Sequence, residues 1–409
     1  MDTTLSFPKN KINVLLLENV HPIALEIFNQ EGFNVIAIKE AIDETELCDK
    51  IKDIHILGIR SKTMVTKTVL QHAHKLMCIG AFCIGTNQID TICCAQNGIV
   101  VFNAPYSNTR SVVELAVGEM IMLMRNVFTK SNSLHQGIWD KSAKNSFEIR
   151  GKILGLIGYG NIGSQFSVIA ESLGMKVCFY DVADKLALGN ARKCKTLEEL
   201  LQKSDVISMH VDGRESNQFL IGKSQFDMMK DNVLFLNLSR GHIVDIDALK
   251  EAILSGKVWG TSVDVYPDEP KSNDEEFISP LRGLPNTILT PHIGGSTEEA
   301  QANIGDYVPN KLINYTNKGD TYGAVNFPEV QLPSFEDSHR ILHIHKNEPG
   351  ILAKINAVFA KHDVNIQAQY LKTNEHIGYV ITDVATNYSP EIIQEIKNIV
   401  GTVKFRMLY

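Results

Sequence analysis

The sequence predicts an α/β protein with two doubly wound parallel sheets, followed by a small sandwich of βαββαβ order. Short apolar runs alternate with helical spacing over residues 11–103 and again over 152–315, which is typical of parallel sheets covered by helices. A glycine-rich turn joins one of these runs to a helix. The segment from His339 has the strand and helix order of a ferredoxin-like sandwich. The 409 residues allow two or three domains with separate cores.

Composition and charge are those of an ordinary globular protein, with 44% hydrophobic and 21% charged residues. The net charge of -7 gives no reason to expect nucleic acid or a membrane surface as a partner. Seven cysteines without metal-ligand spacing predict reduced thiols and no metal site. The N-terminus lacks the apolar core of a secretion signal, so we expect a cytoplasmic protein.

The first segment predicts a parallel sheet whose strands end next to basic and hydroxyl side chains. Its strands are expected at 14–17, 35–38, 54–59, 76–80 and 100–102. Ligands of such sheets bind at the carboxyl ends of the strands. Lys39, Arg60 and Ser61 follow strand ends and are therefore candidates for an anion site. Arg60 offers a planar fork, whereas a solvated surface position is an equal alternative for Lys39.

A single long helix is expected from Ser111 to about Gly137, with Met and Leu residues that favour core packing. The loop that follows, Gly137 to Lys141, contains Trp139. An aromatic side chain in a projecting loop is typical of an interface anchor. We therefore expect Trp139 to lie at a contact between subunits.

The stretch from Lys152 to Asp181 predicts a dinucleotide site. Gly158, Gly160 and Gly163 form the pattern G-x-G-x-x-G between an apolar strand and a helix. A carboxylate at Asp181, where the second strand ends, suits both ribose hydroxyls and repels a 2′-phosphate. No Arg follows Asp181, so NAD is expected rather than NADP. An ordinary glycine-rich loop is the alternative. The predicted cofactor contacts here are Gly158, Tyr159, Gly160, Asn161, Ile162, Gly163 and Asp181.

Three chemically competent residues follow later strands: Arg240, Glu269 and His292. A histidine titrates near physiological pH and suits proton transfer. A neighbouring carboxylate orients the imidazole and raises its pKa, and an arginine clamps a substrate carboxylate in bidentate fashion. Taken singly, each also fits a structural alternative: a surface charge, a solvated acid or a hydrogen-bonded loop histidine.

Several motifs resemble one known family. The patterns L-x-R-G at 238–241, D-V-x-x-x-E-P at 264–270 and T-P-H-I-G-G at 290–295 are similar to those of the D-isomer-specific 2-hydroxyacid dehydrogenases. The resemblance implies that Arg240 binds the substrate carboxylate. It implies that His292, paired with Glu269, is the general acid/base, and that Asp264 and His292 also contact NAD.

The resemblance also implies a domain arrangement. A Rossmann-like NAD domain, residues 108–294, would be inserted in a split substrate-binding domain formed by 1–107 and completed by 295–330. Residues 331–338 would be a linker, and 339–409 an ACT regulatory domain.

Within the family, the similarity points to members that oxidise 3-phosphoglycerate to 3-phosphohydroxypyruvate in the first step of L-serine synthesis. The pieces that carry it are residues 60–63, 81–88, 103–112, 137–139 and 406–409. The implied substrate contacts are Lys39, Arg60, Ser61, Asn108, Lys141 and Arg240. Lys39 and Lys141 would help to neutralise the phosphate, from the same or a neighbouring subunit. Reduction of 2-oxoglutarate is implied as a side activity.

The C-terminal segment resembles ACT domains that bind amino acids between paired subunits. The pattern His345-x-Asn347-x-Pro349-Gly350, with Asn365 at the next strand, implies that His345, Asn347 and Asn365 bind L-serine as a feedback inhibitor. Glu348 departs from the basic residue that is common in relatives, which puts the affinity in doubt. A purely structural dimerisation domain is the alternative. Together with the Trp139 loop, an ACT interface implies a homotetramer.

Two other functions remain open on the sequence. One is a 2-hydroxyacid dehydrogenase for glycerate or another unphosphorylated acid. The other is an NAD-sensing scaffold like the C-terminal-binding-protein corepressors, against which the ACT-like tail argues.

Overall fold

The computed structural model describes residues 7–270, 274–334, 338–386 and 388–409. The chain forms two compact units. One comprises Met1–Ser107 and Gln301–Tyr409, and the other comprises Asn108–Ala300. The first unit thus contains the C-terminal segment as well as the N-terminal sheet. The predicted domain boundaries stay predictions, and each unit is described separately.

The N-terminal sheet of the first unit has five parallel strands in the order β2-β1-β3-β4-β5. Its strands are β1 (Asn13–Leu16), β2 (Asn34–Ala37), β3 (Ile56–Ile59), β4 (Cys78–Ala81) and β5 (Val100–Phe102). The central runs are apolar on both faces because helices cover both sides. β2 is the exposed edge strand, and Lys39 follows it.

Four helices connect these strands, and a side chain caps the start of each, His21 for the first helix. The helices are α1 (Pro22–Gln30), α2 (Glu44–Lys50), α3 (Lys67–His72) and α4 (Thr91–Gln96). Asp43, Thr66 and Asp90 each accept a hydrogen bond from a backbone N–H in the first turn of α2, α3 and α4, respectively. These acceptors satisfy donors that a helix start leaves free, which fixes where each helix begins.

The second unit contains a seven-stranded parallel sheet in the order β12-β11-β10-β9-β6-β7-β8. Its strands are β6 (Ile153–Ile157), β7 (Lys176–Tyr180), β8 (Arg192–Lys193), β9 (Val206–Met209), β10 (Val233–Asn237), β11 (Val258–Val263) and β12 (Thr287–Leu289). The strand order reverses direction between β6 and β9. In such sheets that reversal opens a ligand crevice at the carboxyl ends of the strands.

The expectation of one helix from Ser111 to Gly137 is wrong. The stretch forms α5 (Thr109–Met124) and α6 (Val127–His135), and Asn126 between them has a left-handed φ of 52°. The two parts also differ in packing. α5 buries an apolar face, whereas α6 has no buried residue. The other helices of the unit are α7 (Asn161–Ser172), α8 (Leu197–Lys203), α9 (Lys223–Met228) and α10 (Ile246–Leu254).

The long helix α11 (Glu298–Lys318) carries the chain back to the first unit. Val308, Leu312 and Tyr315 belong to the core of that unit. Gly80 in β4 allows this approach, since a Cβ there would lie 2.6 Å from Val308 and 2.7 Å from Leu312. The close contact requires glycine at this position.

The C-terminal segment confirms the predicted βαββαβ order. Its elements are β13 (His339–Lys346), α12 (Ile351–Lys361), β14 (Ile366–Thr373), β15 (Ile377–Val384), α13 (Pro390–Lys397) and β16 (Thr402–Leu408). The antiparallel sheet has the order β14-β15-β13-β16. Helices cover one face, and Leu342, Ile344 and Tyr379 from the other face join the core of the first unit. Part of the predicted linker, residues 335–337, lies outside the described residues.

A buried ion pair fastens this sheet. The fully buried Arg340 donates from Nε and Nη2 to the two carboxylate oxygens of Asp383, at 2.7 and 2.8 Å. Its Nη1 donates to the carbonyl oxygens of Lys318 and Pro333, each at 3.1 Å. The guanidinium therefore joins two strands of the sandwich to the end of α11 and the segment after it.

Within the described ranges, no helix is both long and apolar enough to cross a membrane.

Replacement of Asp383 by alanine should leave the Arg340 charge buried without its carboxylate. We expect a loss of about 3–5 kcal/mol in the free energy of unfolding of this sheet, measured by hydrogen exchange of the β13 and β15 amides. Lys361→Ala removes an exposed partner of Glu395 and should change this free energy by less than about 1 kcal/mol. Equal losses in the free energy of unfolding for the two substitutions would contradict the interpretation of Arg340 and Asp383 as a buried ion pair that stabilises the sheet.

Candidate active site

The glycine turn has the geometry that a pyrophosphate needs. Gly158, at the end of β6, has a φ of 93°, and a Cβ there would lie 2.4 Å from the carbonyl oxygen of His210. A Cβ on Gly163 would lie 2.3 Å from the carbonyl oxygen of Gly158, so only glycine lets α7 start this close to the strand. At Gly160 the corresponding space is open, and no side chain caps the first turn of α7. The free N–H groups of that turn favour an anion.

Asp181 follows β7 and is held by the backbone. Its two carboxylate oxygens accept hydrogen bonds from the N–H groups of Tyr159 and Ala183, each at 2.8 Å. It borders a pocket of about 390 Å³ that Lys193, Cys194 and Lys195 also line. The N–H of Tyr159 thus ties the glycine turn to the predicted ribose acid. These residues fit NAD: the turn and α7 would hold its pyrophosphate, and Asp181 its ribose.

The His292–Glu269 pair is present. Glu269 Oε2 lies 2.8 Å from His292 Nδ1, and Glu269 Oε1 accepts from the N–H of Tyr266 at 3.1 Å. The hydrogen bond to Glu269 is the main cause that raises the pKa of His292. Burial opposes it, the charges of Glu269 and Asp264 add to it, and Arg240 acts against it. Burial alone would raise the pKa of Glu269, but its hydrogen bonds to His292 and Tyr266 and the nearby positive charges outweigh it and lower that pKa.

The geometry leaves Nε2 of His292 for a substrate, because Nδ1 faces Glu269. The His292 side chain is about half exposed, at 50%. An imidazole oriented in this way and biased toward its charged form can exchange a proton at Nε2 with a hydroxyl or carbonyl oxygen.

Arg240 lies just past β10 in the same unit and is half-buried. Its Nη1 donates to the carbonyl oxygen of Ser239 at 2.7 Å, and its own carbonyl accepts from Asn237 Nδ2 at 3.1 Å. Its charge acts on both members of the His292–Glu269 pair. The structure therefore places the three residues predicted for catalysis at neighbouring strand ends of one sheet.

Asp264, predicted as a cofactor contact, also holds the loop that carries His292. Its Oδ1 accepts from Thr290 Oγ1 at 2.6 Å and from the N–H of Ile293 at 2.8 Å, and its Oδ2 accepts from the N–H of Gly294 at 2.8 Å. Burial raises the pKa of Asp264 despite these hydrogen bonds. His292 lies within this loop with a left-handed φ of 53°. No local pattern predicts these contacts, because Asp264 and its partners are separated by 26 to 30 positions.

Asn108 lies where the chain enters the second unit, beside Gly295. A Cβ on Gly295 would lie 2.1 Å from Asn108 Nδ2, so the amide packs directly on the backbone of the His292 loop. Its Oδ1 is buried and has no hydrogen-bond partner among the described residues. The substrate contact predicted for Asn108 stays a prediction.

Arg60 and Ser61, two of the residues predicted to bind an anion, lie on a braced loop. The backbone N–H groups of Arg60, Lys62 and Thr63 donate to the buried carboxylate of Glu18 at 3.2, 2.9 and 2.8 Å. Gln88 Nε2 donates to the carbonyl oxygen of Arg60 at 2.5 Å. Sequence reasoning missed Glu18. A signal existed, since it is an acid directly after the first strand of a parallel sheet.

The remaining predicted residues lie in separate places. Lys39 is exposed after the edge strand β2, and Lys141 is exposed in the loop that carries Trp139. Trp139 is 78% exposed. The roles predicted for Lys39 and Lys141 stay predictions.

Of the predicted effector residues, His345 and Asn347 lie just before α12, whereas Asn365 lies at the opposite end of the sheet. Gly350 precedes this helix with a φ of 86° and no side-chain cap. Asn347 Nδ2 donates to the carbonyl oxygen of Asn374 at 2.8 Å, and Asn365 is exposed before β14. His345 is buried, with Nδ1 2.7 Å from the carbonyl oxygen of Lys346 and Nε2 without a partner among the described residues.

Comparison with known proteins agrees with this site. Residues 117–294 match the family model for the NAD-binding domain of D-isomer specific 2-hydroxyacid dehydrogenases, and residues 341–404 match an AHAS small subunit-like ACT domain. D-3-phosphoglycerate dehydrogenase of Haemophilus influenzae is 50% identical over 100% of both chains. The Escherichia coli K12 enzyme of the same name is 48% identical over 99% of both.

Among solved structures, D-lactate dehydrogenase from Aquifex aeolicus, complexed with NAD and lactic acid, aligns with a TM-score of 0.68 and 26% identity. The alignment covers 78% of this chain and 100% of the Aquifex aeolicus chain. Fold, glycine turn and relatives together define an NAD-dependent oxidoreductase. The chain belongs to the D-isomer specific 2-hydroxyacid dehydrogenases, with a C-terminal ACT domain, and its full-length relatives are named D-3-phosphoglycerate dehydrogenase.

Glu269→Gln should lower the pKa of His292, because the amide keeps the shape but removes the charge and the strongest hydrogen bond to Nδ1. Titration of the His292 ring by NMR measures this directly. A glutamine at Glu276, an exposed acid paired with Arg282, is the matched control and should leave the titration unchanged. A His292 pKa that stays the same in Glu269→Gln would contradict the pairing.

Proposed function

We propose that this protein oxidises 3-phosphoglycerate to 3-phosphohydroxypyruvate with NAD, as the first step of L-serine synthesis. The hydrogen bond between His292 and Glu269, beside Arg240 on an NAD-binding sheet, carries the proposal. The full-length similarity to D-3-phosphoglycerate dehydrogenases supports this substrate.

The proposed reaction gives separate roles to His292, Glu269 and Arg240. Bound NAD supplies the hydride acceptor. Neutral His292 takes the proton of the substrate hydroxyl at Nε2 as the carbonyl forms, and Glu269 stabilises the resulting imidazolium. Arg240 holds the substrate carboxylate and orients the reacting carbon. In the reverse direction, the imidazolium donates its proton to the carbonyl oxygen.

The phosphate is assigned to residues outside this catalytic group. Arg60 and Ser61 would bind it with a guanidinium and a hydroxyl, on the loop that Glu18 holds. Lys39 and Lys141 would add charge, and Asn108 would contact the substrate through its amide. A phosphorylated acid carries more negative charge than one arginine offsets. This supports the assignment of several basic residues to substrate binding.

Reduction of 2-oxoglutarate is proposed as a second activity of the same site, since a second carboxylate would occupy the anion position of the phosphate. A glycerate-type dehydrogenase is the competing assignment. The two assignments differ in one expectation: only the phosphoglycerate enzyme needs Lys39 and Lys141 for substrate affinity.

Steady-state turnover of 3-phosphoglycerate with NAD tests the proposal, with D-glycerate as the competing substrate. His292→Ala should lower kcat by about 10²–10⁴-fold, because it removes the general base, while NAD affinity changes little. His74→Ala, at an exposed histidine in the first unit, is the control and should retain turnover. Faster turnover of D-glycerate than of 3-phosphoglycerate by the parent enzyme would reject the substrate assignment.

The ACT domain is proposed to bind L-serine as a feedback inhibitor. The N–H groups that follow Gly350 suit a carboxylate, and the amide of Asn347 suits a polar group of the ligand. Asn365 would contact the ligand from a paired subunit. The buried Nε2 of His345 without a partner is a further group that a ligand would satisfy.

Serine should inhibit the parent enzyme, and Asn365→Ala should raise the serine concentration for half-inhibition about tenfold through loss of a ligand hydrogen bond. Asn398→Ala, at an exposed amide after α13, should leave it unchanged. The measurement is the ratio of rates with and without serine, so a change in basal rate does not obscure it. An enzyme that serine leaves fully active would reject the effector assignment.

We propose a homotetramer, located in the cytoplasm, formed through the Trp139 loop and the ACT domain. The exposed Trp139 and its neighbour Ile138, 56% exposed, support one of these interfaces. Light scattering tests this, and a mass below four chains at working concentration would contradict it.

A further inference from the structure

Glu119 is a buried acid that the proposed reaction does not use. It lies on α5, is 1% exposed and belongs to the face of that helix that packs on the seven-stranded sheet. Ser262 Oγ, on β11, donates to its Oε2 at 2.7 Å. Its Oε1 is buried and has no hydrogen-bond partner among the described residues. A buried carboxyl with one hydrogen bond and one free oxygen calls for a physical explanation.

Its surroundings disfavour a charge. The elements packed against α5 contribute apolar side chains here, among them Phe166 of α7, Leu234 and Leu236 of β10, and Ile288 of β12. The nearby titratable groups are Asp264 and Tyr266, which both follow β11. Burial raises the pKa of Glu119 to about 7, the Ser262 hydrogen bond opposes this rise, and the charge of Asp264 adds to it. The neutral acid is therefore the form that the packing favours.

The contact joins Glu119 to the His292 loop. Ser262 and Asp264 are two positions apart, and alternate positions of an extended strand share a side. The N–H of Asp264 donates to the carbonyl oxygen of Asn237 at 3.0 Å, so the residue continues the ladder of β11. Asp264 in turn accepts the hydrogen bonds that hold the loop around His292. A second charge at Glu119 would repel the carboxylate on which that loop depends.

We propose that Glu119 is a positioning residue: a buried carboxyl that holds Ser262 and thereby fixes Asp264 beneath the His292 loop. It touches neither substrate nor NAD and acts through Ser262 and Asp264 alone. This inference rests on the proposed function only where kcat is measured. The melting temperature without NAD reports on Glu119 whether or not the proposed function is correct.

The neutral state has a consequence for stability. Below about pH 4.5, the ordinary pKa of a glutamate, Glu119 is protonated in both the folded and the unfolded chain and adds no pH dependence. Between about pH 4.5 and 7 the unfolded chain releases this proton first, so stability falls as pH rises. Above about pH 7 both states are ionised and the loss is constant.

Four variants of the full-length enzyme test the proposal. E119Q keeps the shape and removes the ionisation, whereas E119A removes the group. S262A removes the hydrogen-bond partner. L123A makes a cavity on the same buried face of α5 and is the structural control. For each, the melting temperature is measured without NAD from about pH 5 to pH 8, and the pH profile of kcat is measured with 3-phosphoglycerate.

We expect E119Q to keep kcat within about twofold and to gain in melting temperature over the parent as pH rises from 5 to 7. E119A and S262A should lower kcat about tenfold, as for a lost buried hydrogen bond, and should displace the pH profile because Asp264 no longer holds His292 in place. L123A should have a lower melting temperature than the parent and an unchanged pH profile of kcat.

Two results would overturn the proposal. One is an E119Q enzyme as impaired as E119A, which would show that the charge is required. The other is an S262A enzyme with the kcat and pH profile of the parent. Because E119Q and S262A are nearly isosteric, the test stands even where E119A does not fold. If no variant, including the parent, turns over 3-phosphoglycerate, the proposed function fails, while the melting curves still decide the charge state of Glu119.

Discussion

The carboxylate of Asp264 is the interaction on which the candidate active site depends. It accepts three hydrogen bonds from the loop between Thr290 and Gly294, and this loop presents His292 with a left-handed backbone. A histidine in that conformation is disfavoured by about 1 kcal/mol or more, so it needs such a clamp. The same carboxylate also adds to the raised pKa of His292. One buried acid thus holds the loop of the group proposed to move the proton and adds to the rise in its pKa, of which Glu269 is the main cause.

The parallel sheet explains why these groups meet. Asp181, Arg240, Asp264 and His292 come from four different strands, yet each follows a carboxyl end, and all such ends lie along one edge of the sheet. Opposite pKa shifts then assign roles to the acid and the imidazole. The pKa of Glu269 is lowered and that of His292 is raised, so the pair favours carboxylate and imidazolium over two neutral groups. This is the arrangement that a reversible proton transfer to a carbonyl oxygen requires.

Local rules were sufficient for most strands, the glycine turn, the position of Asp181 after a strand and the βαββαβ order, because each is encoded within a few neighbouring residues. They failed at Asn126, where a left-handed residue divides a stretch whose apolar spacing continues. They also missed contacts between distant positions. Glu18 meets Arg60 across 42 positions and Glu119 meets Ser262 across 143. Glu18 at least follows a strand, but nothing in the sequence around Glu119 reveals that it will be buried, since the burial depends on which elements pack together.

The C-terminal sandwich shows how a regulatory segment can be part of a structural core. Alternate residues of β13 point to opposite faces, so His343 and His345 lie on the helix-covered side while Leu342 and Ile344 enter the core of the first unit. Arg406 extends this contact from β16, with its guanidinium 5.1 Å from the ring centre of Tyr315 and a hydrogen bond to the carbonyl oxygen of Thr316. Removal of the sandwich would therefore expose apolar core of the first unit and would also remove the proposed serine site. Single substitutions around Gly350 separate these two effects, because they leave the shared core intact.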